Sequence, residues 1–246
     1  MIKYIILGVI QGLTEFLPVS SSAHLVIFNK FLSAEANLLF YITLHLGTLF
    51  SLIIFFFKDI IKLLKDFNLL KKIFIVTLIT GIIGILGKDF FERLFSNYRL
   101  VSLTLFINGL ILIFASKKID TAKKYRPTYL DSSILGFTQS LAIMPGISRS
   151  GITISTLLFR RLEKESAFKF SFLASIPLIL GSFFFKLKDV SFGLGNIEVL
   201  EYTIGFIAAG VSGYLSLMVL SSLIKKRGLN FFGYYCIIIS CLLFIL

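Results

Sequence analysis

Two stretches hold the residues able to do chemistry. QGLTEFLPVSSSAHL at Gln11 to Leu25 and PGISRSGIT at Pro145 to Thr153 place a Glu, a His, an Arg and a cluster of Ser in a chain that is 57% hydrophobic. Gln11 and Glu15 are spaced i,i+4, so on a helix they project from one face and can grip one ion or one proton together. Pro18 makes a continuing helix unfavourable, because its ring clashes with the preceding turn and it has no N–H to give. Ser20, Ser21 and Ser22 are N-cap residue types, and a new helix opening there presents free backbone N–H groups and a positive dipole end. His24 falls in the first turn of that helix, close to Ser21. The second stretch repeats the device: Pro145 and Gly146 break a helix, and Ser148, Arg149, Ser150 and Gly151 begin another. Two helix N-termini and one Arg make an anion site. Phosphate suits it, since guanidinium and oriented N–H groups match phosphate oxygens.

Each of these residues also has a plainer reading. Gln11 can satisfy a half-helix end, Ser21 can be only an N-cap, Arg149 can clamp loop carbonyls, and His24 can be a hydrogen-bonded packing residue. Ser148, Ser150 and Thr153 serve equally as caps or helix-packing groups. Glu15 is the exception: it has no basic residue within helical reach, and a carboxylate at membrane depth is costly enough to mark function. His45, in LHLGT, reads as an interior packing or polar-network residue and stays outside the expected site.

The elements that must position these groups are membrane helices. The chain has 246 residues, a mean hydropathy of +0.93 and hydrophobic runs of the roughly 20 residues that cross a bilayer. The formal charge of +12 sits in short loops between apolar runs, which points to membrane topology and away from nucleic acid. The apolar run from Ile5 lacks a small-residue cleavage site, so no cleavable signal peptide is expected. Cys236 and Cys241 fall on different faces of one apolar helix, which argues against a disulfide or a metal site. With no Trp, any aromatic belt comes from Tyr and Phe.

The expected fold is an all-α polytopic membrane protein forming a single domain over 1–246. It contains two re-entrant helical hairpins and six full spans. The first hairpin joins Met1 to Leu17 with Ser20 to Phe31, and the second lies at about 129–160. The spans are expected at about 38–57, 73–87, 100–116, 167–186, 202–224 and 230–246. Gly81, Gly84 and Gly87 give the second span a small-residue stripe suited to tight packing. Basic clusters at 58–72, 117–127, 160–169 and 225–227 are all cytoplasmic in one tracing, which puts both termini outside. An internal repeat agrees: GVIQGLTEFLPVSS from Gly8 aligns with GFTQSLAIMPGIS from Gly136, matching Gln11 to Gln139 and Pro18 to Pro145. Repeat one covers 1–117 and repeat two 128–246. Three spans per repeat invert the second copy, and inverted repeats with broken helices place a polar site where the breaks meet.

The two motifs closely resemble the signature segments of the bacterial undecaprenyl pyrophosphate phosphatases of the BacA type. The first is carried here by Gln11, Glu15, Pro18, Ser21 and His24, and the second by Pro145, Gly146, Ser148, Arg149, Ser150 and Thr153. The resemblance covers the whole length. It implies an integral membrane hydrolase converting undecaprenyl pyrophosphate to undecaprenyl phosphate and inorganic phosphate. Such an enzyme recycles the lipid carrier of peptidoglycan synthesis in the bacterial plasma membrane and confers bacitracin resistance, and it leaves room for a homodimer. It implies catalytic roles for Glu15, Ser21, His24 and Arg149 and substrate contacts from Gln11, Ser148, Arg149 and Thr153. A Mg²⁺ or Ca²⁺ ion would be held by Glu15 and Gln11. Many members carry Glu at position 11, so this chain offers such an ion one carboxylate instead of two. For the attack, two versions stand: Ser21 as nucleophile with His24 as base, or His24 acting directly or through a water. The site would open to the outer side. The competing class is a transporter or flippase of a polyprenyl phosphate or other anion, since carriers build anion sites from the same broken helices.

Overall fold

The computed structural model describes residues 1–32, 38–94, 98–187, 196–226 and 228–245. In chain order its helices are α1 (Ile2–Phe16), α2 (Ser21–Leu32), α3 (Leu38–Phe55), α4 (Phe57–Leu64), α5 (Phe67–Leu86), α6 (Lys88–Leu94), α7 (Tyr98–Ser116), α8 (Tyr129–Leu141), α9 (Arg149–Phe159), α10 (Lys164–Leu187), α11 (Asn196–Lys226) and α12 (Asn230–Ile245). Among the described residues there is no β-strand. Five helices, α3, α5, α7, α10 and α11, are long and apolar enough to cross a membrane. The sixth expected span, α12, is apolar but has only 16 residues.

Both broken helices form where the prolines require them. α1 stops at Phe16 and α2 starts at Ser21; between them Ser20 takes a left-handed φ of 68°, which costs a non-glycine residue and persists only when the surroundings hold it. α8 and α9 are separated by the Pro145–Gly146 break, where Gly146 has φ 94°. A Cβ there would lie 2.5 Å from the Val101 carbonyl oxygen, so only glycine fits. The second hairpin is closed at its base. Lys123 N–H donates to Arg161 O at 2.9 Å and Glu163 N–H to Lys124 O at 2.9 Å. Asp131, fully buried, accepts from Lys124 Nζ at 2.5 Å and Arg160 Nε at 2.8 Å and closes a capping box with Thr128.

Two expectations are corrected. The stripe Gly81, Gly84, Gly87 is not a seam between spans: among the described residues a Cβ on Gly81 would meet nothing within 4 Å, one on Gly84 only the end of Ile143, and one on Gly87 the ring of Phe91 and its own Ile83 carbonyl at the end of α5. α5 instead packs through Val76, Ile79 and Thr80 onto Gly136 of α8. α1 does pack tightly on α11, where a Cβ on Gly8 would sit 2.6 Å from Gly205 O and one on Gly12 2.5 Å from Ala209 O. The segment 58–72 is not an open loop, because α4 fills half of it and α5 begins at Phe67. Lysine stems can run along a helix and release their charge at its end, so lysines do not mark a loop.

The cation-rich segments lie together at one end. Lys169 pairs with Asp59 at 3.2 Å, Arg126 with Asp66 at 3.9 Å and Lys225 with Glu165 at 3.6 Å; Tyr129 donates to Asn68 at 3.0 Å. Arg227 of the 225–227 cluster lies outside the described residues.

Candidate active site

Glu15 stands on the last turn of α1 with its carboxylate buried, 8% exposed. Three donors reach it. Arg149 Nη2, 134 residues away on the first turn of α9, lies 2.6 Å from Oε1. Ser21 Oγ, at the start of α2, donates to Oε2 at 2.7 Å, and Gln11 Nε2 donates to the same oxygen at 3.0 Å. The i,i+4 spacing of Gln11 and Glu15 does bring them to one face. The two breaks therefore meet: Glu15 and Ser21 from the first and Arg149 from the second form one cluster. Phe16, beside Glu15, packs edge-on against Phe172, which stacks on Phe56, so this apolar wall strengthens charge interactions beside it.

Asn108, in the middle of α7, ties the breaks to each other. Its Nδ2 donates to Pro18 O at 3.1 Å and its Oδ1 accepts from Ser148 N–H at 3.0 Å. Cys236 of α12 shares this point, with Asn108 Nδ2 at 3.4 Å from its sulfur. Thr104, one turn earlier on α7, donates to Pro145 O, and Gly146 N–H reaches Ser22 Oγ at 3.5 Å. Apart from the Asn108–Cys236 contact, each satisfies a backbone group that the breaks leave without a helical partner.

The remaining expected residues sit as follows. Ser148 is the N-cap of α9, its hydroxyl accepting from Gly151 N–H. Thr153 Oγ1 donates to Arg149 O at 2.7 Å and lies 2.6 Å from Ser171 Oγ; both Ser148 and Thr153 are buried and brace the turn that carries Arg149. His24 is buried with both ring nitrogens engaged away from Ser21 and Glu15: Nδ1 lies 2.8 Å from Ser20 O, and Nε2 2.8 Å from Tyr235 Oη. A carbonyl only accepts, so Nδ1 carries the proton and Tyr235 donates to Nε2.

His45 of α3 joins the cluster, although its sequence setting points only to packing or a polar network. Its Nδ1 is 3.0 Å from Gln11 Nε2 and 3.7 Å from Glu15 Oε2. The argument that singles out Glu15, an ionisable group inside an apolar helix, applies equally to His45. Among the described residues no group of three His, Cys, Asp or Glu is placed to hold a metal ion. Chemically, the cluster is a buried carboxylate positioned to take a proton from a serine hydroxyl. The first residues of two helices, Ser21 of α2 and Arg149 of α9, meet at that carboxylate, and a guanidinium is a group that pairs with anionic oxygens.

The chain is 42% identical to an undecaprenyl-diphosphatase of Carboxydothermus hydrogenoformans over 98% of this chain and 95% of the relative. It is 39% identical to one of Methanobrevibacter smithii over 99% of this chain and 96% of the relative. It is 40% identical to one of Halothermothrix orenii over 99% and 97% respectively. The family model described as "Bacitracin resistance protein BacA" matches residues 4–242. Both broken-helix motifs lie inside that match, and the chain belongs to this BacA family.

Proposed function

We propose that the chain is an undecaprenyl-diphosphate phosphatase of the bacterial plasma membrane, releasing inorganic phosphate and leaving undecaprenyl phosphate in the bilayer. The observation that carries this reading is the Glu15 carboxylate, which receives the Ser21 hydroxyl on one oxygen and the Arg149 guanidinium on the other. Arg149 has five N–H donors and spends one on Glu15, so others remain for the pyrophosphate. The α2 and α9 N-termini add N–H groups toward the same charge. Ser21 Oγ attacks the terminal phosphorus while its proton passes to Glu15. The anhydride bond breaks and undecaprenyl phosphate leaves, taking that proton; Glu15, ionised again, then accepts a proton from the water that attacks the phosphoserine phosphorus and returns it to the departing Ser21 Oγ as inorganic phosphate is released. His24, held by Ser20 O and Tyr235 Oη, fixes the turn on which Ser21 stands. In the expected pairing of Ser21 with His24, the geometry favours Glu15 as the base.

A divalent cation fits the site in a limited way. Gln11 Oε1 is buried and, among the described residues, has no hydrogen-bond partner, and with the Glu15 carboxylate it gives two oxygen-bearing side chains where a hard cation wants six or more oxygen ligands. Gln11 and Glu15 would hold a Mg²⁺ or Ca²⁺ whose shell the substrate oxygens complete, and the ion would neutralise phosphoryl charge.

The finer architecture belongs to the same proposal: six spans, with α12 completing the set, and two inverted repeats. Exchange of the repeats maps the α1–α11 contact onto α8–α5, and α11–α3 onto α5–α10; α7–α12 and α3–α10 map onto themselves. Gln11 and Gln139, aligned by the repeat, are also alike in leaving a buried Oε1 without a partner among the described residues. The cation-rich end then faces the cytoplasm, and the first hairpin, with the active site, opens outward. The deciding measurement is phosphate release from undecaprenyl pyrophosphate by detergent-purified protein, with and without EDTA, beside Glu15→Ala and Arg149→Ala. Release that requires both residues sustains the proposal. No release from folded wild-type protein ends it in favour of a carrier.

A further inference from the structure

Away from the active site, α4, the start of α5, the 125–127 segment and the start of α10 enclose a cavity of about 220 Å³ at the cation-rich end. Its floor is apolar, made by buried Leu63, Phe170 and Leu173. Its rim carries Lys62, Lys72, Arg126 and Lys169 against Asp59 and Asp66. Lys169 is matched by Asp59 at 3.2 Å and Arg126 by Asp66 at 3.9 Å, so Lys62 and Lys72 supply a surplus of positive charge. The Lys72 ammonium is held 5.4 Å above the Tyr129 ring.

The flank of the cavity narrows the choice of ligand. On α4, Phe57, Ile61 and Leu64 recur at i,i+4,i+7 and are 58%, 42% and 67% exposed, and Phe67 just beyond is 70% exposed. Apolar residues this exposed, on a short helix between two spans and beside lysines, describe a helix lying in the headgroup region with its apolar face among acyl chains. We propose that the cavity binds the phosphodiester headgroup of an anionic phospholipid, its phosphate between Lys62 and Lys72, its glycerol over the Leu63–Phe170 floor and its acyl chains along the exposed face of α4. Free phosphate would use the rim and leave floor and flank unused. The site is independent of the phosphatase chemistry, and its ligand comes from the leaflet that the basic clusters face.

The test weighs the detergent-solubilised full-length protein by native mass spectrometry after exchange with dioleoyl phosphatidylglycerol or dioleoyl phosphatidylcholine. Wild type retains the phosphatidylglycerol selectively. The K62Q/K72Q variant loses that retention by about tenfold or more, as two lysines near an anionic headgroup would give. The K58Q/K65Q variant, altered on the same helix but off the cavity lining, keeps it. Equal retention of the two lipids by wild type overturns the proposal. So does equal loss in K58Q/K65Q, or displacement of the lipid by an equal concentration of inorganic phosphate.

Discussion

Glu15 concentrates the site's polar contacts, and the separate contributions can be read by removing one atom type at a time. Glu15→Gln keeps the shape and one accepting oxygen, turns the other into an NH2 donor, and cannot accept the Ser21 proton, so kcat is expected to fall about 10²- to 10⁴-fold, with binding changed less. A fall in apparent affinity alone, at unchanged kcat, would remove Glu15 from the base role. Gln11→Glu makes the complementary test. It would set a second carboxylate where Gln11 Nε2 now lies 3.0 Å from Glu15 Oε2, and two such carboxylates repel unless a cation or proton comes between them. This variant is expected to gain several-fold stimulation by Mg²⁺ and greater sensitivity to EDTA than wild type. Glu15, Ser21 and Arg149 are legible in the sequence because apolar surroundings make their charge and polarity conspicuous. Asn108 and Tyr235 are not: each is one ordinary polar residue in an apolar helix. Asn108 reaches Pro18 across 90 positions and Tyr235 reaches His24 across 211, partners no local pattern names.

At the level of elements, the site depends on how closely α1 can approach α11 and how firmly the second hairpin is closed. A Cβ at Gly12 would lie 2.0 Å from Ser212 Oγ and 2.5 Å from Ala209 O, so Gly12→Ala must push α1 and its Glu15 away. The expected cost is about 1–3 kcal/mol, seen as a lower Tm and reduced activity together, while Gly81→Ala, facing open space, leaves both near wild type. Asp131 at the hairpin base makes the pH prediction. Burial pushes its carboxyl up, but the hydrogen bonds from Lys124, the Thr128 N–H and Arg160 outweigh it and hold the pKa down at about 2. A carboxylate whose folded pKa is depressed stabilises fully above its unfolded value near 4 and loses that contribution as pH falls through about 2. The amount is about 2 kcal/mol. The Tm of wild type should fall between pH 4 and pH 2 more steeply than that of Asp131→Asn, and parallel curves would remove the lock. The breaks were legible from their prolines. α4 and the first turns of α5 were not, because lysines at a helix end and lysines in a loop give the same local composition.

For the whole molecule, the orientation decides which leaflet feeds each site, and one labelling experiment reads it. The basic clusters meet at one end through Asp59–Lys169, Asp66–Arg126 and Glu165–Lys225. At the opposite end the N-terminal ammonium pairs with Glu201 at 3.2 Å. Cytoplasmic loops gather Lys and Arg because translocating them is unfavourable, so the first end should face inward and the second outward. In a background carrying Cys236→Ala and Cys241→Ala, single cysteines at Lys3 and Lys123 would report on the two ends. A membrane-impermeant maleimide applied to intact cells should label Lys3→Cys at once and Lys123→Cys only after the cells are opened. That result puts the entrance to the first break on the outside, where a pyrophosphate headgroup reaches Arg149 from the outer leaflet, and puts the α4 cavity on the inside, where the anionic leaflet lies. Labelling of Lys123→Cys from outside would invert both assignments together: pyrophosphate would then have to enter from the cytoplasmic leaflet, and the α4 cavity would take its phospholipid from the outer one. The contacts within each site would be unchanged, because Glu15, Ser21 and Arg149 are held to one another by the crossing of the two breaks and not by the direction in which the chain is inserted.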